Sequence, residues 1–201
     1  IVSTNAIGFD GVNLWVFNKT NLYANGVGQF TLLRDGSTFG FSMCPTVTYD
    51  DALPVMHLVE VDNLFYNFTT TSRRLRLSTI TGQVGAEVLA LGTAFTPATN
   101  EWASSEQLTF LGGLAPQLNS PFNIFNWDSS INNVVFRNGN LWLAHTVFLP
   151  PTVPTHCAVQ WWQANTNGAA LQFGRIEDTV AHFATPSIAV NRNEDVLIGF
   201  S

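Results

Sequence analysis

Apolar residues along this chain fall in short runs, each closed by Asn, Gly, Asp or Pro. The clearest case is Val134-Val135-Phe136, then Arg137-Asn138-Gly139-Asn140, then Leu141-Trp142-Leu143-Ala144. The central Asn-Gly pair favours the positive φ angles of a type I′ turn, so the stretch predicts a β-hairpin. Neither strand alternates strictly between apolar and polar, which predicts that both faces of the sheet are covered.

Other segments repeat the pattern. Ile7-Gly8-Phe9 and Leu14-Trp15-Val16-Phe17 flank Asp10-Gly11, and residues 18–29 read as loop before the strand Phe30–Leu33. Val47-Thr48-Tyr49 leads through Asp50-Asp51 to Val55–Glu60. Residues 74–80 alternate with period two and predict a half-exposed outer strand, followed by Val88–Leu91. Residues 158–163 and 171–173 read as strands, and Ile188–Val190 with Val196–Ile198 as a last hairpin. No amphipathic helix of useful length is present, so the fold class is all-β.

Aligned on their first strands, the hairpins begin at Ile7, Val47, Val134 and Ile188, with spacings of 40, 87 and 54 residues. The long gap holds a Pro-, Gly- and Asn-rich stretch near 98–130 that carries Trp102 and Trp127, and it reads as an insertion in one unit. Four-stranded units of about 40–50 residues are the signature of β-propeller blades. The expectation is a single domain over 1–201, of about four blades, belonging to a larger propeller. Both chain ends fall inside a unit, which suggests a trimmed or mature piece.

Composition narrows the function classes. Charged residues are 11% of the chain, against about 25% in an ordinary domain. Apolar residues are 46%, and with 16 Phe the chain is committed to a packed core rather than disorder. A net charge of −6 and a single lysine, Lys19, argue against a nucleic-acid partner. No apolar run approaches the roughly 18 residues of a membrane-spanning helix. Cys44 and Cys157 form no disulfide framework; they either pair with each other or remain two buried thiols. Asn18-Lys19-Thr20 and Asn67-Phe68-Thr69 match the glycosylation acceptor pattern. With abundant Asn and Thr, they point to a secreted or cell-surface location.

The residues Gly139–Thr146, Val159–Trp162, Pro186–Asn191 and Ile198–Ser201 resemble strand cores of secreted sialidase-like propeller proteins of bacteria. That resemblance implies a propeller fold and glycan-related work. Sialidases add Ser-x-Asp-x-Gly-x-Thr-Trp boxes, an arginine cluster, a Tyr nucleophile and an acidic partner. The chain holds no such box, and its arginines stand in no such context, which counts against hydrolysis by these residues.

Candidate ligand contacts are Trp142 and His145, three positions apart on one strand and so on opposite faces, and Trp161-Trp162, of which one ring faces inward. An exposed indole can stack on a sugar face; the structural alternative is packing between blades. Asn191–Asp195 places oxygen ligands at alternate positions, yet lacks the glycine and distal Glu of a calcium loop. His145, His156 and His182 have no zinc spacing, and no Gly-x-Ser-x-Gly elbow or singled-out carboxylate pair is present. The sequence therefore calls for no cofactor and no metal. It predicts a binding or structural module whose partner is a glycan or another protein. The alternative is a glycoside hydrolase whose catalytic residues lie outside this chain.

Overall fold

The computed structural model describes residues 12–34, 42–50, 52–62, 71–72, 74–95, 101–103, 114–126 and 128–201. About half of the described residues are strand, as the short apolar runs predict. In chain order the first elements are β1 (Asn13–Phe17), α1 (Lys19–Tyr23), β2 (Phe30–Arg34), β3 (Cys44–Thr48), β4 (Met56–Val61), β5 (Thr71–Ser72) and β6 (Leu75–Thr81). Then come β7 (Val88–Ala90), β8 (Ala94–Phe95), β9 (Trp102–Ala103), β10 (Asn133–Arg137), β11 (Asn140–Leu149), β12 (His156–Asn165), β13 (Ala170–Ile176), β14 (Ser187–Val190) and β15 (Val196–Gly199).

Two antiparallel meanders dominate. One runs β3-β4-β6-β7 and the other β10-β11-β12-β13. Their first strands lie side by side and parallel, with Val134 opposite Thr46, Val135 opposite Val47 and Phe136 opposite Thr48. The result is one large mixed sheet rather than a set of separate blades closed into a ring, and the number of blades is not fixed by it. The hairpins β1-β2 and β14-β15 form separate two-stranded sheets.

Because side chains alternate across each strand, every meander presents two faces, and apolar clusters fill the spaces between successive sheets. Leu14, Val16 and Leu33 of the first hairpin meet Leu58, Ile80 and Leu89. The opposite faces of β4 and β6, through Val59, Val61 and Leu75, meet Val134, Leu143 and Trp162. This contact joins strands far apart in the sheet order, so the two meanders fold face to face about the β3-β10 junction. Val135, Trp142 and Val159, on the far side of the second meander, meet Ile188, Val190 and Ile198. The covered faces explain the unbroken apolar runs of β10 and β11.

The predicted hairpin at 134–144 forms with the expected turn: Asn138 and Gly139 have φ of 48° and 81°, and Val135 faces Trp142. The last hairpin also forms as predicted. Three expectations are corrected. Residues 18–29 hold a single helical turn, capped where Asn18 Oδ1 accepts from the Asn21 amide at 3.0 Å. The strand read as outer, β6, is interior, paired with β4 on one side and with β7 and β8 on the other. Its alternation misled because Arg76, read as solvent-facing, folds onto the buried Glu60. The insertion near 98–130 also contributes the fully buried Trp102, on β9 beside β11 and β5. Ile7–Phe9 and Trp127 lie outside the described residues, and β1 pairs with β2. Cys44 and Cys157 are both buried and are not joined in a disulfide. Among the described residues, no helix is long and apolar enough to cross a membrane.

Candidate functional site

Two polar constellations stand out, one inside the sheet stack and one at its rim. The interior one starts from His145, which is 1% exposed. Its Nδ1 lies 3.1 Å from the Ser129 carbonyl, and its Nε2 lies 3.2 Å from Trp162 Nε1. A carbonyl can only accept and an indole N–H can only donate, so the ring is the neutral Nδ1–H tautomer with both nitrogens satisfied. Burial pushes its pKa down to about 4, with the nearby Arg175 adding to the effect.

Strand register places His145 opposite Gln160, and Gln160 opposite Arg175. Arg175 Nε donates to Gln160 Oε1 at 2.7 Å and its Nη2 donates to the Glu101 carbonyl. Gln160 Nε2 in turn donates to the Gly174 carbonyl at 2.9 Å. Trp102 meets His145 edge-on, with ring centroids 5.1 Å apart. His145, Gln160 and Arg175 are tied together in this way while the buried Trp102 Nε1 has no hydrogen-bond partner, and the chemistry of the row is that of a core clasp.

The four residues singled out from sequence therefore divide by face. His145 and Trp162 are hydrogen-bonded together between the two meanders. Trp142 and Trp161 pack on the opposite face, against the last hairpin. Trp142, His145 and Trp162 are all buried. Trp161 is half-buried, its indole lying across Gly174 on the neighbouring strand, where an added Cβ would come within 2.8 Å of Nε1.

The rim constellation forms where the segment after β3 meets the β10-β11 and β14-β15 turns. A cleft of about 430 Å³ is lined by Tyr49 and Asp50 after β3, by Phe136 to Gly139 in the β10-β11 turn, and by Arg192 in the β14-β15 turn. The Arg137 guanidinium lies 4.9 Å from the centroid of the Tyr49 ring, and its Nε donates to the Asn191 carbonyl at 3.2 Å. Asn138 Nδ2 reaches the Arg192 carbonyl at 3.3 Å and Glu194 Oε1 at 3.0 Å. These bonds fix the turns relative to one another. The Tyr49 ring stays 64% exposed and the Arg192 side chain faces solvent.

The turn considered for calcium closes on itself. Asn191 Oδ1 accepts from the amides of Asn193 and Asp195 at 2.8 and 2.9 Å, and its Nδ2 donates to Asp195 Oδ2. Among the described residues no group of three or more His, Cys, Asp or Glu could hold a metal ion.

Tyr49 and Arg192 were not among the residues singled out for binding. The signal that could have found them is the repeat itself: if hairpins are equivalent, their turns gather at one end of the sheets. The chain matches no protein-family model, no curated protein and no solved structure.

Proposed function

We propose that this chain is a propeller-type binding module, acting outside the cell, whose ligand is a glycan held at the cleft between Tyr49, Arg137 and Arg192. The observation that carries the reading is this cleft itself: an exposed ring beside two guanidiniums and the Asn138 carboxamide, on turns braced against one another. A sugar offers an apolar C–H face and a rim of hydroxyls. An aromatic plane with flanking planar donors is complementary to both. The low overall charge suits a neutral or weakly acidic saccharide.

The architecture supports the propeller part of the reading. Each meander has four strands, their first strands run parallel, and β14 lies against β10 and β11 where the first strand of a further unit would sit. The test is a glycan array at high protein concentration, followed by titration of any hit. Tyr49→Ala and Arg192→Ala are expected to weaken binding at least about tenfold, roughly 1.4 kcal/mol each. Trp161→Ala is expected to leave affinity unchanged. Retention of no saccharide overturns the glycan assignment, and equal binding by the Tyr49 and Arg192 variants overturns the placement.

A further inference from the structure

Asn-Gly occurs at Asn25-Gly26, Asn138-Gly139 and Asn167-Gly168. Glycine has no side chain to shield its amide nitrogen, so at such a pair that nitrogen can attack the carboxamide carbon of the preceding asparagine. This is one root of the thermal lability of Asn. The structure separates the three pairs at the attacking atom. Gly26 N donates to the Asn21 carbonyl at 2.8 Å, and Gly168 N donates to the Asn165 carbonyl at 3.0 Å. Gly139 N makes no hydrogen bond among the described residues, because the turn is closed by the Arg137–Asn140 pair on either side of it. Space divides them in the same way. An added Cβ would come within 2.3 Å of the Asn21 side chain at Gly26 and within 2.9 Å of the Phe95 ring at Gly168, whereas at Gly139 it would meet nothing within 4 Å. Asn138 and Gly139 are both exposed, so water reaches the pair.

Asn138 also carries a structural contact that the other two lack. Its Nδ2 holds the Arg192 carbonyl and Glu194 Oε1 of the β14-β15 turn. These bonds lie at the surface and yield to a rotation of one side chain. Freeing Gly26 or Gly168 requires a backbone turn to unwind.

We propose that Asn138 is a self-modifying residue, whose deamidation by Gly139 N releases the β14-β15 turn from the β10-β11 turn. Gly139 N bonds to Asn138 Cγ, the Cγ–Nδ2 bond breaks, and Nδ2 leaves as ammonia with the proton that the Gly139 amide gives up. Water then opens the cyclic imide, at Cγ to give aspartate or at the main-chain carbonyl carbon to give isoaspartate. Either product replaces a donor with a carboxylate, which can only accept. That carboxylate faces the Glu194 carboxylate and the Arg192 carbonyl to which Asn138 had been joined. The cleft exchanges a donor for a negative charge, whatever it holds.

Peptide mapping of the full chain after incubation at mildly alkaline pH tests this. Aspartate and isoaspartate are expected to accumulate faster at 138 than at 25 or 167. Asn138→Gln is expected to leave position 138 unmodified, because its longer side chain closes the ring far less readily. Asn138→Asp supplies one product directly. With an unchanged far-UV spectrum, it is expected to be cut by trypsin after Arg192 at least about tenfold faster than the unaltered protein, the factor that one hydrogen bond to a charged group is worth. The incubated unaltered protein is expected to follow it as product accumulates. Deamidation led by Asn25 or Asn167, or equal at all three, overturns the site. Cleavage after Arg192 that Asn138→Asp leaves unchanged overturns the release of the turn.

Discussion

Burial sets two side chains titrating in opposite senses. His145, held near 4 by its dry surroundings, leaves the folded protein with fewer bound protons than the unfolded chain below the ordinary value of 6.5. Its stabilising contribution is complete above 6.5 and is lost as pH falls towards 4. His57, stacked on Phe136, and His182 are also lowered by burial and tilt stability the same way. Glu60 is the counterweight. It is 1% exposed with Oε2 unpartnered, and desolvation lifts its pKa to about 7 despite the hydrogen bond from Arg76. Its folded form holds a proton that the unfolded chain releases above 4.5, so it erodes stability as pH rises from 4.5 to 7. In the unaltered protein these slopes oppose one another between pH 5 and 6.5. Glu60→Gln removes the falling slope, and its urea midpoint is expected to rise clearly from pH 5 to pH 7. His145→Gln is expected to shift the balance towards a midpoint that falls over the same interval. Equal pH profiles for the two variants would contradict the assignment.

Two glycines show how strands are held in register. Gly139 sits at φ 81° with open space around it, so Gly139→Ala costs only backbone strain, about 1–2 kcal/mol. Gly174 is needed for a different reason: it lies directly opposite Trp161, whose ring fills the space of a Cβ. Gly174→Ala is expected to cost about 1–3 kcal/mol by overpacking, and to red-shift the tryptophan emission as the indole is displaced. In a Trp161→Ala background that cost is expected to vanish, while the Gly139 cost persists. Urea unfolding of the three single variants and the two Trp161→Ala double variants measures both. The turn at Gly139 was legible in sequence because Asn-Gly encodes it locally. The partnership of Trp161 with Gly174 was not, because it depends on a register between separate strands. The same limit hid the role of Arg76, whose charge reads as solvent-facing until Glu60 is placed beside it. The candidate tryptophans and His145 were identifiable as chemistry-bearing residues, but the face each would take depended on which sheets stack.

At the scale of the whole molecule, repetition was the most informative signal. Hairpins do form at the stretches read from Val47, Val134 and Ile188, and the apolar runs of β10 and β11 are covered on both faces as their lack of alternation required. What the repeat could not convey is that two units share a continuous sheet through β3 and β10, since parallel pairing leaves no local mark in either strand. That junction has a consequence for how the chain reaches its native state. Each meander is assembled from pairings between near neighbours in sequence, whereas Val135 meets Val47 only after a long stretch of chain is drawn closed. Closing so large a loop is slow and is rewarded last. Truncating Val47, which meets Val135 across the seam from outside the β10-β11 hairpin, to Ala is therefore expected to leave the refolding rate nearly unchanged and to accelerate unfolding instead, whereas Leu141→Ala, within the local hairpin, is expected to slow refolding. Stopped-flow chevrons of the two variants distinguish them. Until the seam closes, the backbone edges of β3 and β10 are both unpaired, so the interval before closure is when this chain is most open to pairing with a neighbour in the wrong register.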